Sequence, residues 1–117
     1  MEIQVKNIEG VIVMKPIGRI VGPASTALRG AIIDEIKGSL ESPNFVFDFA
    51  GVSRIDSVGI GVLVGLQVSI AQRGGQVGII NVSNSIRNAF VMAKLIATFK
   101  HFPSEDEAIV NLRWKAD

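Results

Sequence analysis

No cysteine occurs among the 117 residues of this chain. That absence excludes disulfide staples, thiol nucleophiles, Cys-ligated zinc and iron–sulfur clusters together, and it fits a reducing compartment. Histidine is nearly absent too: His101 is the only one, so a serine hydrolase would have to draw its base from that single position. A surplus of either charge is missing as well, the net being +1 with the basic residues scattered, so there is no footprint for a polyanion and nucleic acid is not an expected partner. There is no long apolar run. The greasiest stretch, Val58 to Ala71, is interrupted by glycine, glutamine and serine, and it falls short of the roughly 20 residues a membrane-spanning helix needs. Direct membrane insertion is therefore not expected. The opening MEIQVKNIEGVIVM has no basic start followed by an uninterrupted apolar core, so no secretory leader is expected and the cytoplasm is the expected location. No repeat, low-complexity segment or long linker divides the chain, which reads as a single domain over residues 1–117, long enough to bury a core without covalent help.

What is present is a regular succession of short patterns. Ile3–Val5 and Val11–Met14 flank Asn7-Ile8-Glu9-Gly10 and predict a β-hairpin, after which Pro16 and Gly18 loosen the chain. From Gly22-Pro23 the apolar spacing becomes helical through Ala24, Leu28, Ala31, Ile32 and Ile36, fading near Gly38. Asn44–Ala50 (NFVFDFA) is aromatic and β-branched, which predicts a central strand, and Gly51-Val52-Ser53-Arg54 reads as the loop behind it. A second helix is expected from about Ser57 to Arg73, stopped by Gly74-Gly75, and then a strand over Val77–Asn81. Ile86, Ala89, Phe90 and Ala93 mark a third helix from Ser83 to about Lys94, with a short strand near Thr98–Phe99. Ser104-Glu105-Asp106-Glu107 is a capping box opening a last helix through Ala108, Ile109 and Leu112. The fold class is α/β: a mixed β-sheet of four to five strands with about four α-helices packed on it.

The chemistry concentrates at Asp56-Ser57, at the mouth of the most apolar stretch. Gly59-Ile60-Gly61-Val62-Leu63-Val64-Gly65 imitates a nucleotide loop, but the third glycine falls one residue late for the dinucleotide fingerprint, and no Gly-Lys-Ser/Thr follows. No cofactor and no metal are expected. Ser57 lacks a G-x-S-x-G elbow, and Asp48 with Asp56 makes no convincing acid–base or metal pair by spacing. No residue is assigned a catalytic role. Helix capping accounts for Asp56-Ser57 by itself, since both are favoured N-cap residues. A helical wheel adds a second role: Gly61, Val64 and Val68 share the direction of Ser57, whereas Val62, Leu66 and Ile70, with Leu63 beside them, form the bulkier strip that belongs against the sheet. The thinner strip is left for either another helix or a protein partner.

These residues resemble those of a known family. The order hairpin, helix, strand, I-D-S-x-G-I-G, helix, G-G, strand, Ser-x-x-Ile-Arg, helix and P-S-E-D-E-A is similar to the STAS domain of sulfate-transporter tails and bacterial anti-sigma-factor antagonists. FVFDFAGVSRIDSVGIGVLVG carries the most specific likeness, with Asp48, Asp56, Gly59 and Gly61 at motif positions. The resemblance implies an antagonist that binds an anti-sigma factor of the serine-kinase type, is phosphorylated by it on Ser57 and then lets go, thereby regulating sigma-factor-dependent transcription. It implies a binding module and kinase substrate, not an enzyme, with docking residues Val21, Gly22, Arg54, Val58, Ile60, Val64 and Val68 around the serine, and it leaves a homodimer open. The chain departs from the pattern twice. Val58 stands where the family usually has a second hydroxyl, and Arg19-Ile20-Val21-Gly22 stands where many antagonists carry an acidic residue near the serine. A phosphate on Ser57 would bring about −1.5 to −2 charges to the positive end of a helix, where an anion is tolerated, yet it would make burial against a partner prohibitive. A constitutive STAS subunit of a lipid-transport or stress-signalling assembly is the alternative, and a small enzyme or nucleotide-binding domain using Asp48, Asp56 and Ser57 is the other.

Overall fold

The computed structural model describes residues 1–38, 44–93 and 99–113. Strands β1 (Glu2–Ile8) and β2 (Val11–Ile20) form the expected hairpin, antiparallel from Glu2↔Ile17 to Ile8↔Val11. The two-residue turn between them has positive φ at both positions, 52° at Glu9 and 83° at Gly10, the geometry whose twist matches a right-handed ribbon. Asn7 steadies it by accepting from the Gly10 amide at 3.0 Å.

Strand β2 does not stop at Pro16. It pairs with β3 (Asn44–Asp48) as far as Met14↔Phe47, and then with β4 (Val52–Ile55) from Gly18↔Val52 to Ile20↔Ile55, the register shifting between Gly18 and Arg19. Pro16 lies in the gap between those two pairings, where a missing N–H disturbs the ladder least. Of the segment Gly51–Arg54 expected to be a loop, all but Gly51 thus belongs to a strand. With β5 (Val77–Ile80) and β6 (Lys100–His101), the sheet has six strands rather than four or five, ordered β1-β2-β3-β5-β6 with β4 beside β2. The hairpin is antiparallel and the other pairs are parallel, so the sheet is mixed as expected. The strand expected at Thr98–Phe99 is found at β6, and Thr98 itself lies outside the described residues.

Helices α1 (Pro23–Lys37), α2 (Ser57–Gln72), α3 (Asn84–Met92) and α4 (Glu105–Leu112) complete the α/β domain. Local chemistry set their ends. Pro23 occupies the first turn of α1, Gly74 at φ 82° follows the last turn of α2, and the Ser83 and Ser104 hydroxyls accept from the Ile86 and Glu107 amides. Lys94, the expected end of α3, lies outside the described residues.

Strand alternation sends two sets of side chains to two faces. Ile12, Met14, Phe45, Phe47, Val77 and Ile79 join buried residues of α1, α2 and α3 in the main core. Val11, Val13, Val46 and Ile80 meet Ala108, Ile109 and Leu112 of α4 on the other face. A run of aromatic contacts, Phe45–Phe47–Phe49–Phe90–Phe99, with ring centroids 5.5 to 6.4 Å apart, ties α3 to the sheet.

Candidate functional site

After β4 the chain turns once, at Asp56, and enters α2. Asp56 is the N-cap, in extended backbone with φ −107° and ψ −177°. Its amide donates to the Ile20 carbonyl at 3.2 Å, which continues the pairing with β2 by one bond. One carboxylate oxygen accepts from the Gly59 amide at 2.9 Å, and the other accepts from the Gly22 amide at 3.1 Å. A single side chain therefore joins the first turn of α2 to the turn that opens α1. The Gly59 amide first, and the Gly22 amide after it, hold the Asp56 carboxyl below the usual aspartate range, because both bonds favour its charged form.

Gly59 fixes how closely this turn approaches the sheet. A Cβ there would lie 2.7 Å from both Ile20 Cγ2 and the Ile20 carbonyl oxygen, and 2.9 Å from Ile55 Cγ1. No larger residue fits without moving α2 away from the ends of β2 and β4. Gly61 and Gly65 differ: both are exposed, and nothing lies within 4 Å of a Cβ added to either.

This packing presents Ser57 to solvent as the first residue of α2. Val58 beside it is 55% exposed and Val68 47% exposed, with Val64 half-buried along the same helix. Leu63, Leu66 and Ile70 face the core as the wheel required, and Val62 is partly buried against it. The thin strip is thus exposed at Gly61 and Val68, while Val64 between them packs partly against the main core. Val21 and Gly22 are half-buried, and Arg54 is exposed. Ile60 is a correction: at 8% exposure it belongs to the main core and offers nothing to a partner. The seating of Gly59 against Ile20 rotates the buried arc of α2 far enough to include it.

The other candidate groups are held apart. Asp48, at the end of β3, accepts from the Ala50 amide at 2.9 Å and from Asn81 Nδ2 at 3.0 Å, binding the ends of β3 and β5 together. His101 sits on β6, three strands from β2 in the sheet order and so roughly 14 Å across it. Ser57, which follows the β4 partner of β2, is not assembled with His101 into a triad.

Sequence reading missed two features. A groove of about 490 Å³ runs between α1 and α2, with Ile32, Ile33 and Ile36 on one wall and Val58, Gly61, Val62 and Gly65 on the other. The Arg29, Ile32/Ile33, Ile36 spacing was its available signal, since these positions share one helical stripe. The second feature is the register Arg19↔Arg54, which brings two exposed arginines together on β2 and β4. No local pattern carries that pairing.

The family model for the STAS domain matches residues 2–108. A search among curated proteins finds no match. Among solved structures, an anti-sigma factor antagonist from Mycobacterium paratuberculosis is 26% identical, with a TM-score of 0.83 over 96% of this chain and 93% of that one. Thermotoga maritima TM1081 is similar with a TM-score of 0.86 at 19% identity, covering 96% and 95% of the two chains. Bacillus SpoIIAA, an anti-sigma factor antagonist, is similar in its unphosphorylated form with a TM-score of 0.82 at 21% identity, over 99% of this chain and 100% of that one. Its phosphorylated form is similar with a TM-score of 0.73 at 22% identity. The last two proteins, at such identities, bear on the fold alone.

Proposed function

The chain belongs to the STAS domain family, and from that premise we propose that it is an anti-sigma-factor antagonist whose grip on its partner is controlled by phosphorylation of Ser57. The partner in this reading is a cytoplasmic anti-sigma factor that is also a serine kinase. Unphosphorylated, the domain binds it and frees the sigma factor; phosphorylated, it is released. In the transfer, the Ser57 oxygen bonds to the γ-phosphorus of ATP, the bond from that phosphorus to ADP breaks, and the hydroxyl proton passes to the kinase. The domain supplies an acceptor and a platform, not catalysis.

One observation carries the reading: an exposed serine opens a helix whose adjoining surface, Val58 and Val68, is apolar and uncovered. Asp56 and Gly59 hold that serine in place without using its hydroxyl as the cap. A phosphate here leaves the core untouched, so the fold persists. A partner seated on Val58 and Val68 would have to bury the new charge, and that cost drives release.

Ser57→Asp tests it. Partner affinity, measured against an anti-sigma factor of the serine-kinase type from the same organism, is expected to fall at least tenfold while the circular dichroism spectrum is unchanged. Unchanged affinity, or loss of the fold, overturns the proposal. A second reading has its own support in Val58, where the family usually has a second hydroxyl, and in Arg19-Ile20-Val21-Gly22, where many antagonists have an acidic residue: a constitutive STAS subunit that is never modified. Intact mass after incubation with the kinase and ATP separates the two, since only the switch gains a phosphoryl group.

A further inference from the structure

Resting on the reading that Ser57 is phosphorylated, we infer that Arg19 and Arg54 form a clamp that binds the phosphate on Ser57 in cis, so that modification also withdraws two cations from the docking surface. Arg19 and Arg54 are register partners on parallel strands, and both are exposed. Neighbouring strands lie about 4.8 Å apart, and like charges directly opposite each other are destabilising. The strands cannot slide to relieve them, because Ile20↔Ile55, the next pair, is buried, and a one-residue slip would bring isoleucine out and arginine in. Among the described residues neither arginine forms an ion pair, whereas Lys6–Glu105 and Arg113–Glu9 are paired on the α4 side. The repulsion is built into the sheet and waits for an anion.

Ser57 is where that anion arrives. Arg54 precedes it by three residues, so their Cα atoms are at most about 11 Å apart, a span that an arginine and a phosphoserine side chain together bridge. Arg19 and Ser57 are each one residue from the bonded pair formed by the Ile20 carbonyl and the Asp56 amide at 3.2 Å. The carboxylate next to Ser57 in sequence, Asp56, has its oxygens committed to the Gly59 and Gly22 amides, and Gly22 and Pro23 at the start of α1 bring no charge. Two guanidinium groups match the roughly −1.5 to −2 charges of a phosphoserine and offer it paired donors. In the unmodified domain the same two cations are free to meet acidic groups on the kinase; in the modified domain they face inward to the phosphate.

The test needs no kinase. The full chain is produced with phosphoserine placed at position 57 through an expanded genetic code, and its phosphate is titrated by 31P NMR. The second ionisation is expected to lie well below the ordinary value of about 6, to move back in the Arg19→Gln/Arg54→Gln double variant, and to stay low in an Arg113→Gln control. Phosphorylation is also expected to raise the Tm of the parent chain but not of the double variant. An identical titration in parent and double variant overturns the clamp. So does an effect reproduced when inorganic phosphate is added to the unmodified chain, with none from phosphoserine 57. Failure of the kinase to modify Ser57 would instead sink the proposed function, and leaves this measurement intact.

Discussion

The first turn of α2 and the turns that follow use glycine in opposite ways. At Gly59 the missing side chain is filled by Ile20 and Ile55, and the helix is clamped to the sheet; at Gly61 and Gly65 the missing side chains leave open space against α1. One helix thus has a fixed head, which sets the position of Ser57, and a thinned flank, which offers room to something outside the chain. The same residue type is a packing necessity at one position and an opening at the others, and composition cannot tell these apart.

The comparison can be broken by filling each gap. Gly59→Val has the largest expected effect: overpacking of this kind costs about 1–3 kcal/mol, read as a lower urea midpoint, and it should displace Ser57 enough to slow the phosphorylation proposed for it. Asp56→Ala removes the acceptor for both the Gly22 and Gly59 amides, and its cost should follow pH. Folding lowers the pKa of this carboxyl from its ordinary 3.8, so the stabilisation is complete above that value and is lost as pH falls through the lowered one. The Tm difference between parent and Asp56→Ala is therefore expected to be flat from pH 5 to 8 and to shrink in more acidic solution. Gly61→Ala and Gly65→Ala should act the other way, each raising stability by about 0.5–1 kcal/mol, because alanine is the better helix former and meets nothing. A loss on either of these would mean that the flank is not open. The smallest effect on folding belongs to Val68→Ser, within about 0.5 kcal/mol in denaturant titration, while the same change should weaken partner binding measured by calorimetry.

What was legible in the sequence was whatever is decided within a few residues. The Asp56 cap, the Gly74 stop of α2, the Ser104 cap on the Glu107 amide and the central strand at Asn44–Asp48 all follow from local spacing, and the structure has each of them. Strand β4 escaped because its four residues expose Ser53 and Arg54 and become a strand only through β2, which Pro16 and Gly18 seemed to end. The placement of Ile60 failed for a related reason. A helical wheel gives the order of side chains around α2 but not the rotation of the helix on its support, and that rotation is set by Gly59 meeting Ile20, a contact between residues far apart in sequence. The arginine pair depends on the same long-range register.

The sheet is guarded unequally. Among the described residues three helices share one side, whereas on the other Val11, Val13, Val46 and Ile80 pack against one eight-residue helix, α4, with Ile8 and Phe102 at the margin. Should that short helix detach, a row of β-branched side chains on three adjoining strands would meet water at once, and clumping on storage or heating is expected to begin there while Ser57 still heads α2.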